Sequence, residues 1–177
     1  MAVDADELRK ATSRTEAAFA VLVTVRYRGK GSLGVNPDEM SLEFVKHDHD
    51  RHAAFIPSDL AAKLEKDADE LSQRIEGEMG RQREKETVQD STLGEREKSI
   101  RAAIQFVKTQ SLTVTRLDQD HSQVSGWVFF SAKSKWIGDW KKQEELILRV
   151  PLANRVIEFP FALPPSRGDL LLRLRPD

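Results

Sequence analysis

The stretch from Gly126 to Pro165 constrains this chain more than any other. It holds all three tryptophans and four of the eight phenylalanines. Within it, Ile157, Phe159, Phe161 and Leu163 alternate with Glu158, Pro160 and Ala162. That period of two is expected where a strand buries one face, so Phe159 and Phe161 are expected in a core. Pro160 cannot donate a ladder hydrogen bond, which places its strand at a sheet edge or at a bulge.

Other segments repeat the pattern. Phe19, Val21, Val23, Val25 and Tyr27 alternate with Ala20, Leu22, Thr24, Arg26 and Arg28, and β-branched residues are frequent there. After a glycine-containing loop with Asn36-Pro37, Met40, Leu42 and Phe44 mark a second strand, expected to pair with the first as a long-looped hairpin. A short strand is expected around Ala53–Ile56, and later strands around Leu112–Leu117, Val124–Ser131, Glu145–Val150 and Leu170–Leu174. Residues 1–17 read as a mobile leader, with Leu8 their main large apolar side chain.

Between the strands the period changes to that of a helix. Leu60, Leu64, Ala68, Leu71, Ile75 and Met79 form one apolar stripe, with Ser58 as the expected cap and Asp59 in the first turn. Residues 81–92 are almost wholly polar and read as a solvated connection. Thr92 and Glu95 match a capping box for a second helix carrying Ile100, Ala103, Ile104 and Val107. The expectation is therefore an α+β chain, mainly β. It is an antiparallel β-sandwich, Ig-like in general architecture, of seven to eight strands, with a two-helix hairpin inserted at 58–109 of an 18–177 domain. Several strands have apolar residues on both faces, so the helices are expected to cover part of a second sheet face.

Composition excludes some classes. Twenty-eight basic residues nearly cancel twenty-nine acidic ones, which argues against a nucleic-acid binder. With no cysteine there is no disulfide, thiolate ligand or cysteine nucleophile. No apolar run approaches the roughly 18 residues of a transmembrane helix. The first ten residues lack the apolar core of a signal peptide. They fit either the start of a cytosolic protein or an exported chain whose signal has been removed.

Two constellations carry potential chemistry. His47, His49 and His52, interleaved with Asp48 and Asp50, have ligand types suited to zinc, nickel or copper. Strand parity, continued from Phe44, would put His47 and His49 on the solvated face together, with His52 reaching them only through a turn. An exposed polar turn is the plainer reading. Trp136 and Trp140, with Lys133, Lys135, Lys141 and Lys142 nearby, could stack on sugars or on a partner surface. Covering one end of the core is the better-supported role for them. His121 beside Asp118 and Asp120 has the elements of a general base, although neighbours in a turn seldom converge.

No catalytic signature is present: no G-x-S-x-G, no H-E-x-x-H, no phosphate loop. The leading expectation is a non-enzymatic interaction or structural module, with the bacterial cell envelope as one setting. It would be a monomer, or a weak dimer through an edge strand. The alternatives are a metal-binding protein or hydrolase centred on His47–His52, and a carbohydrate-binding module using Trp136 and Trp140.

Overall fold

A computed structural model of the chain describes residues 16–79, 87–133, 136, 143–153 and 155–163. The described residues are mostly β, with two helices and several antiparallel sheets. Its elements in order are β1 (Glu16–Arg26), β2 (Leu33–Val35), β3 (Ser41–Phe44), β4 (Asp50–Ala53), α1 (Pro57–Met79), α2 (Thr87–Gln110), β5 (Thr115–Leu117), β6 (Gln123–Lys133), β7 (Glu144–Leu152) and β8 (Arg155–Leu163). The leader expected over 1–17 is outside the described residues up to position 15, and β1 begins at Glu16.

The long strands pair differently from the expected hairpin. β1 lies antiparallel to β6 along its whole length, from Glu16 opposite Lys133 to Arg26 opposite Gln123. β3 pairs instead with β4 and β7, giving a four-stranded sheet in the order β4-β3-β7-β8. β2 and β5 form a short separate pair. The period of two was right for β1 and β3. Pairing depends on which apolar faces meet in space, and alternation carries no information about that.

One apolar cluster is shared by β1, β3, β6 and β7. Phe19 and Val23 meet Leu42, Phe44, Val128, Phe130, Leu146 and Leu148 there, and all are buried. A second cluster lies on the other face of the β1–β6 pair, where Ala18 and Phe129 meet Leu60, Leu64, Leu71, Ile100, Ala103 and Val107 of the helices. β6 thus buries even residues on one side and odd residues on the other, with Trp127 half-buried beside Phe129. The expected covering of a second sheet face by the helices is what the two clusters display.

The helical insertion is held at both ends by one edge of β6. The Phe55 N–H donates to the Phe129 carbonyl at 2.8 Å, and the Leu112 N–H donates to the Trp127 carbonyl at 2.9 Å. Carbonyls two apart on a strand point the same way, so the chain leaves and returns at neighbouring sites. Between the helices, Lys108 Nζ donates to Glu65 Oε1 at 2.6 Å and Ser72 Oγ donates to Glu97 Oε1 at 3.0 Å.

Both helix starts differ from expectation. Ile56, not Ser58, closes the first turn of α1, its carbonyl accepting from the Asp59 and Leu60 N–H groups. Pro57 occupies the first helical position, where its missing N–H costs nothing. α2 starts at Thr87, so Thr92 and Glu95 sit inside the helix rather than at its start. Of the connection expected over 81–92, residues 81–86 lie outside the described residues and 87–92 are helical. The side chains of Ile75 and Met79 are also outside the described residues, as are Trp140 and the expected strand at Leu170–Leu174.

β8 brings a further correction. Its odd residues do share the inward face of the sheet, opposite Leu146, Leu148 and Val150. Phe161 packs half-buried against the first cluster, yet Phe159 is exposed. The alternation was read correctly, but β8 is the outermost of the described strands and runs beyond the cluster. An inward-pointing side chain is buried only where something lies opposite.

Candidate functional site

The histidine segment follows directly from the end of β3. The Phe44 carbonyl accepts from the His47 N–H at 3.1 Å, and the His47 carbonyl accepts from the Asp50 N–H at 2.9 Å. Asp48 and His49 have φ values of 55° and 56°. Aspartate tolerates this left-handed region, while histidine adopts it less readily. These two residues end the strand alternation and send the chain back as β4.

The turn separates residues that strand parity placed together. His47 stacks on Trp136, with ring centres 4.2 Å apart and planes 14° from parallel. Its Nε2 is 3.2 Å from Glu144 Oε2 at the start of β7. Both atoms are buried, and no hydrogen bond joins them. His52 stands opposite Leu42 on β4 and therefore shares the inward face of β3. It meets Phe44 and Trp136 edge-on, with ring centres 5.5 Å and 5.9 Å away, and its Nδ1 lies 2.9 Å from Ser131 Oγ on β6. His47 and His52 thus flank one buried tryptophan.

His49 goes to the opposite face, where its Nδ1 is 2.7 Å from Glu43 Oε1. Glu43 is the organising group on that side. Its Oε2 accepts from Arg149 Nη1 at 2.8 Å and from Arg51 Nη2 at 3.2 Å. Arg149 also donates to Glu158 Oε1 on β8 at 3.0 Å. Each of the four strands supplies one charged side chain, and the turn adds His49. The Glu43 side chain is 4% exposed. The hydrogen bond from His49, then Arg51 and the positive charge of Arg149, hold its carboxyl below the usual range against the opposing effect of burial.

Trp136 is 9% exposed, so its surface is spent on His47, His52 and Phe44. Trp140, Lys135, Lys141 and Lys142 are outside the described residues. The His121 side chain is exposed, and its backbone N–H and that of Asp120 donate to Asp118 Oδ1 at 2.8 Å and 2.9 Å. Those bonds make an Asx turn, which fixes the loop before β6. Among the described residues no group of three histidines or carboxylates is placed to hold a metal ion.

Sequence reasoning missed Glu43, Arg51, Arg149, Glu144 and Glu158. Parity did mark Glu43 and Arg149 as facing away from Leu42, Phe44, Leu148 and Val150. What it lacked was the β3–β7 pairing that makes them neighbours. As it stands, the arrangement ties the β3–β4 turn to β6, β7 and β8 through ring stacking and charge. No helix among the described residues is long and apolar enough to cross a membrane. No family model matches this chain, and no curated protein or solved structure matches it.

Proposed function

We propose that this chain is a non-enzymatic interaction module: an Ig-like β-sandwich, carrying a helical hairpin, that meets a partner along β8. In this reading the β1–β6 pair and the four-stranded sheet are the two layers, and the cluster they share is the filling between them. The observation that carries the functional part is a contrast between neighbouring strands. Leu148 and Val150 are 6% and 2% exposed, while Phe159 and Ile157, their neighbours on β8, are 49% and 36% exposed. Val156 on the other face is 57% exposed. An outermost strand presenting large apolar side chains is a template for an added strand. The histidines give no competing signal for catalysis, because His47 and His52 are packed against Trp136 and His49 is engaged by Glu43.

A photoreactive amino acid at Val156, compared with one at exposed Asp38, tests the reading in cells that make the protein. Discrete adducts from position 156 and none from position 38 are expected. Adducts of equal yield from both positions, or none from position 156, would remove β8 as the interaction site.

A further inference from the structure

We infer that the partner of β8 is a second copy of the same strand, paired antiparallel about a two-fold axis at Ile157. The inference rests on the interaction reading above and adds the partner and its register. The β7–β8 ladder runs without interruption from Glu144 opposite Leu163 to Leu152 opposite Arg155, and Pro160 is opposite Ile147 within it. Antiparallel ladders alternate pairs that exchange two hydrogen bonds with pairs that exchange none. Proline has no N–H, so an unbroken ladder requires Pro160 to be of the second kind. Val156 and Glu158 share its parity, and their N–H and carbonyl groups therefore point away from β7, to the edge that no described strand occupies.

That parity allows a two-fold axis at any residue of β8. An axis at Val156 would keep only residues 155–157 of the strand paired, and one at Pro160 would lose both central bonds, which leaves Ile157, Glu158 and Phe159 between them. An axis at Glu158 would set two carboxylates directly opposite each other, which is unfavourable. An axis at Phe159 would put Pro160 opposite Glu158 and lose a donor at the centre. An axis at Ile157 avoids both faults. It pairs Val156 with Glu158 of the second copy in bond-exchanging positions, and by symmetry the pair occurs twice. On the inward face, Ile157 then meets Ile157, and Phe159 meets Arg155 of the second copy. The exposed apolar surface is covered, and a guanidinium is brought against an aromatic ring. Glu158 enters the contact with its charge already matched by Arg149, 3.0 Å away on β7. Closed two-fold pairing uses up the edge and stops at a dimer.

The chain has no cysteine, which makes the register directly testable in the full-length protein. Sedimentation velocity of the unaltered protein should shift from monomer to dimer as concentration rises. Ile157→Lys, which brings like charges together at the axis, should abolish that shift and leave the thermal transition in place, because Ile157 is exposed. Ile157→Cys should form an intermolecular disulfide on mild oxidation, since directly opposed side chains at such a pair are about 4.5–5.5 Å apart at Cβ. Phe159→Cys and Asp38→Cys should cross-link far more slowly. A monomer at every concentration, a dimer that survives Ile157→Lys, or faster cross-linking from position 159 than from 157 each overturns the proposal. A purified monomer that still gives adducts to another protein from position 156 in cells defeats self-pairing alone. A monomer with no such adducts defeats the interaction reading as well.

Discussion

Gly126 and Leu112 meet backbone to backbone: a Cβ built on Gly126 would lie 2.5 Å from the Leu112 Cα and 2.6 Å from its nitrogen. The contact sits where the chain returns from α2 and the Leu112 N–H bonds to the Trp127 carbonyl at 2.9 Å. Only glycine leaves room for that crossing.

Gly126→Ala should therefore lower stability by about 1–3 kcal/mol, the usual cost of forcing extra volume into packed structure. Urea denaturation measures it. A loss under about 0.5 kcal/mol, typical of a surface change, would show that the two backbones can separate freely.

Glu43→Gln should cost about 3 kcal/mol, near the lower end for breaking a buried charge pair. Arg149 keeps Glu158 and Arg51 is half exposed, which moderates the loss.

The same carboxyl gives a signed pH dependence. Its folded pKa is lowered, chiefly by the His49 hydrogen bond. The stability it contributes is present above the unfolded value of about 4.3 and is lost as pH falls through the folded one. The native protein should lose stability on acidification over that window, and Glu43→Gln should lose less. Glu97, bonded by Arg101, and Asp118, bonded by the His121 backbone, are also lowered, so part of the acid slope remains. Equal slopes in the two proteins, from denaturation at a series of pH values, would show that Glu43 is not held as described.

Phe159→Ala should cost under about 1 kcal/mol, since half of that side chain is already in water. Phe130→Ala, at full burial, should cost about 3–5 kcal/mol. Thermal melts of the two variants at a concentration where the protein is monomeric compare them directly, and similar losses there would mean that Phe159 is covered within the monomer.

Val107→Asp should unfold strands and helices together. Val107 is wholly buried in the cluster that joins both helices to Phe129, and an uncompensated charge there is expensive. A single transition, shifted strongly downward by both near-ultraviolet and far-ultraviolet circular dichroism, is expected. A variant whose sheet still melted at the native temperature would make the helices an independent arm.

The sequence by itself determined the elements and their faces. Alternation placed β1, β3, β6, β7 and β8 close to where they lie, and the three–four spacing found both helices and the buried Leu60, Leu64, Ala68, Leu71, Ile100, Ala103 and Val107, while Ile104 is only partly buried. Apolar residues on both faces of several strands pointed to a covered second face, without saying which strand would carry it. These are local properties, set by the direction in which successive side chains leave the backbone. Partners and coverage were decided only in three dimensions. β1 chose β6 over β3, two positive-φ residues sent His47 and His49 to opposite faces, and Glu43 met Arg149 from 106 residues away. Phe159 shows the limit most plainly, because its direction was legible and its exposure was not. A side chain's direction follows from its own backbone, whereas its burial depends on what the rest of the chain places opposite it.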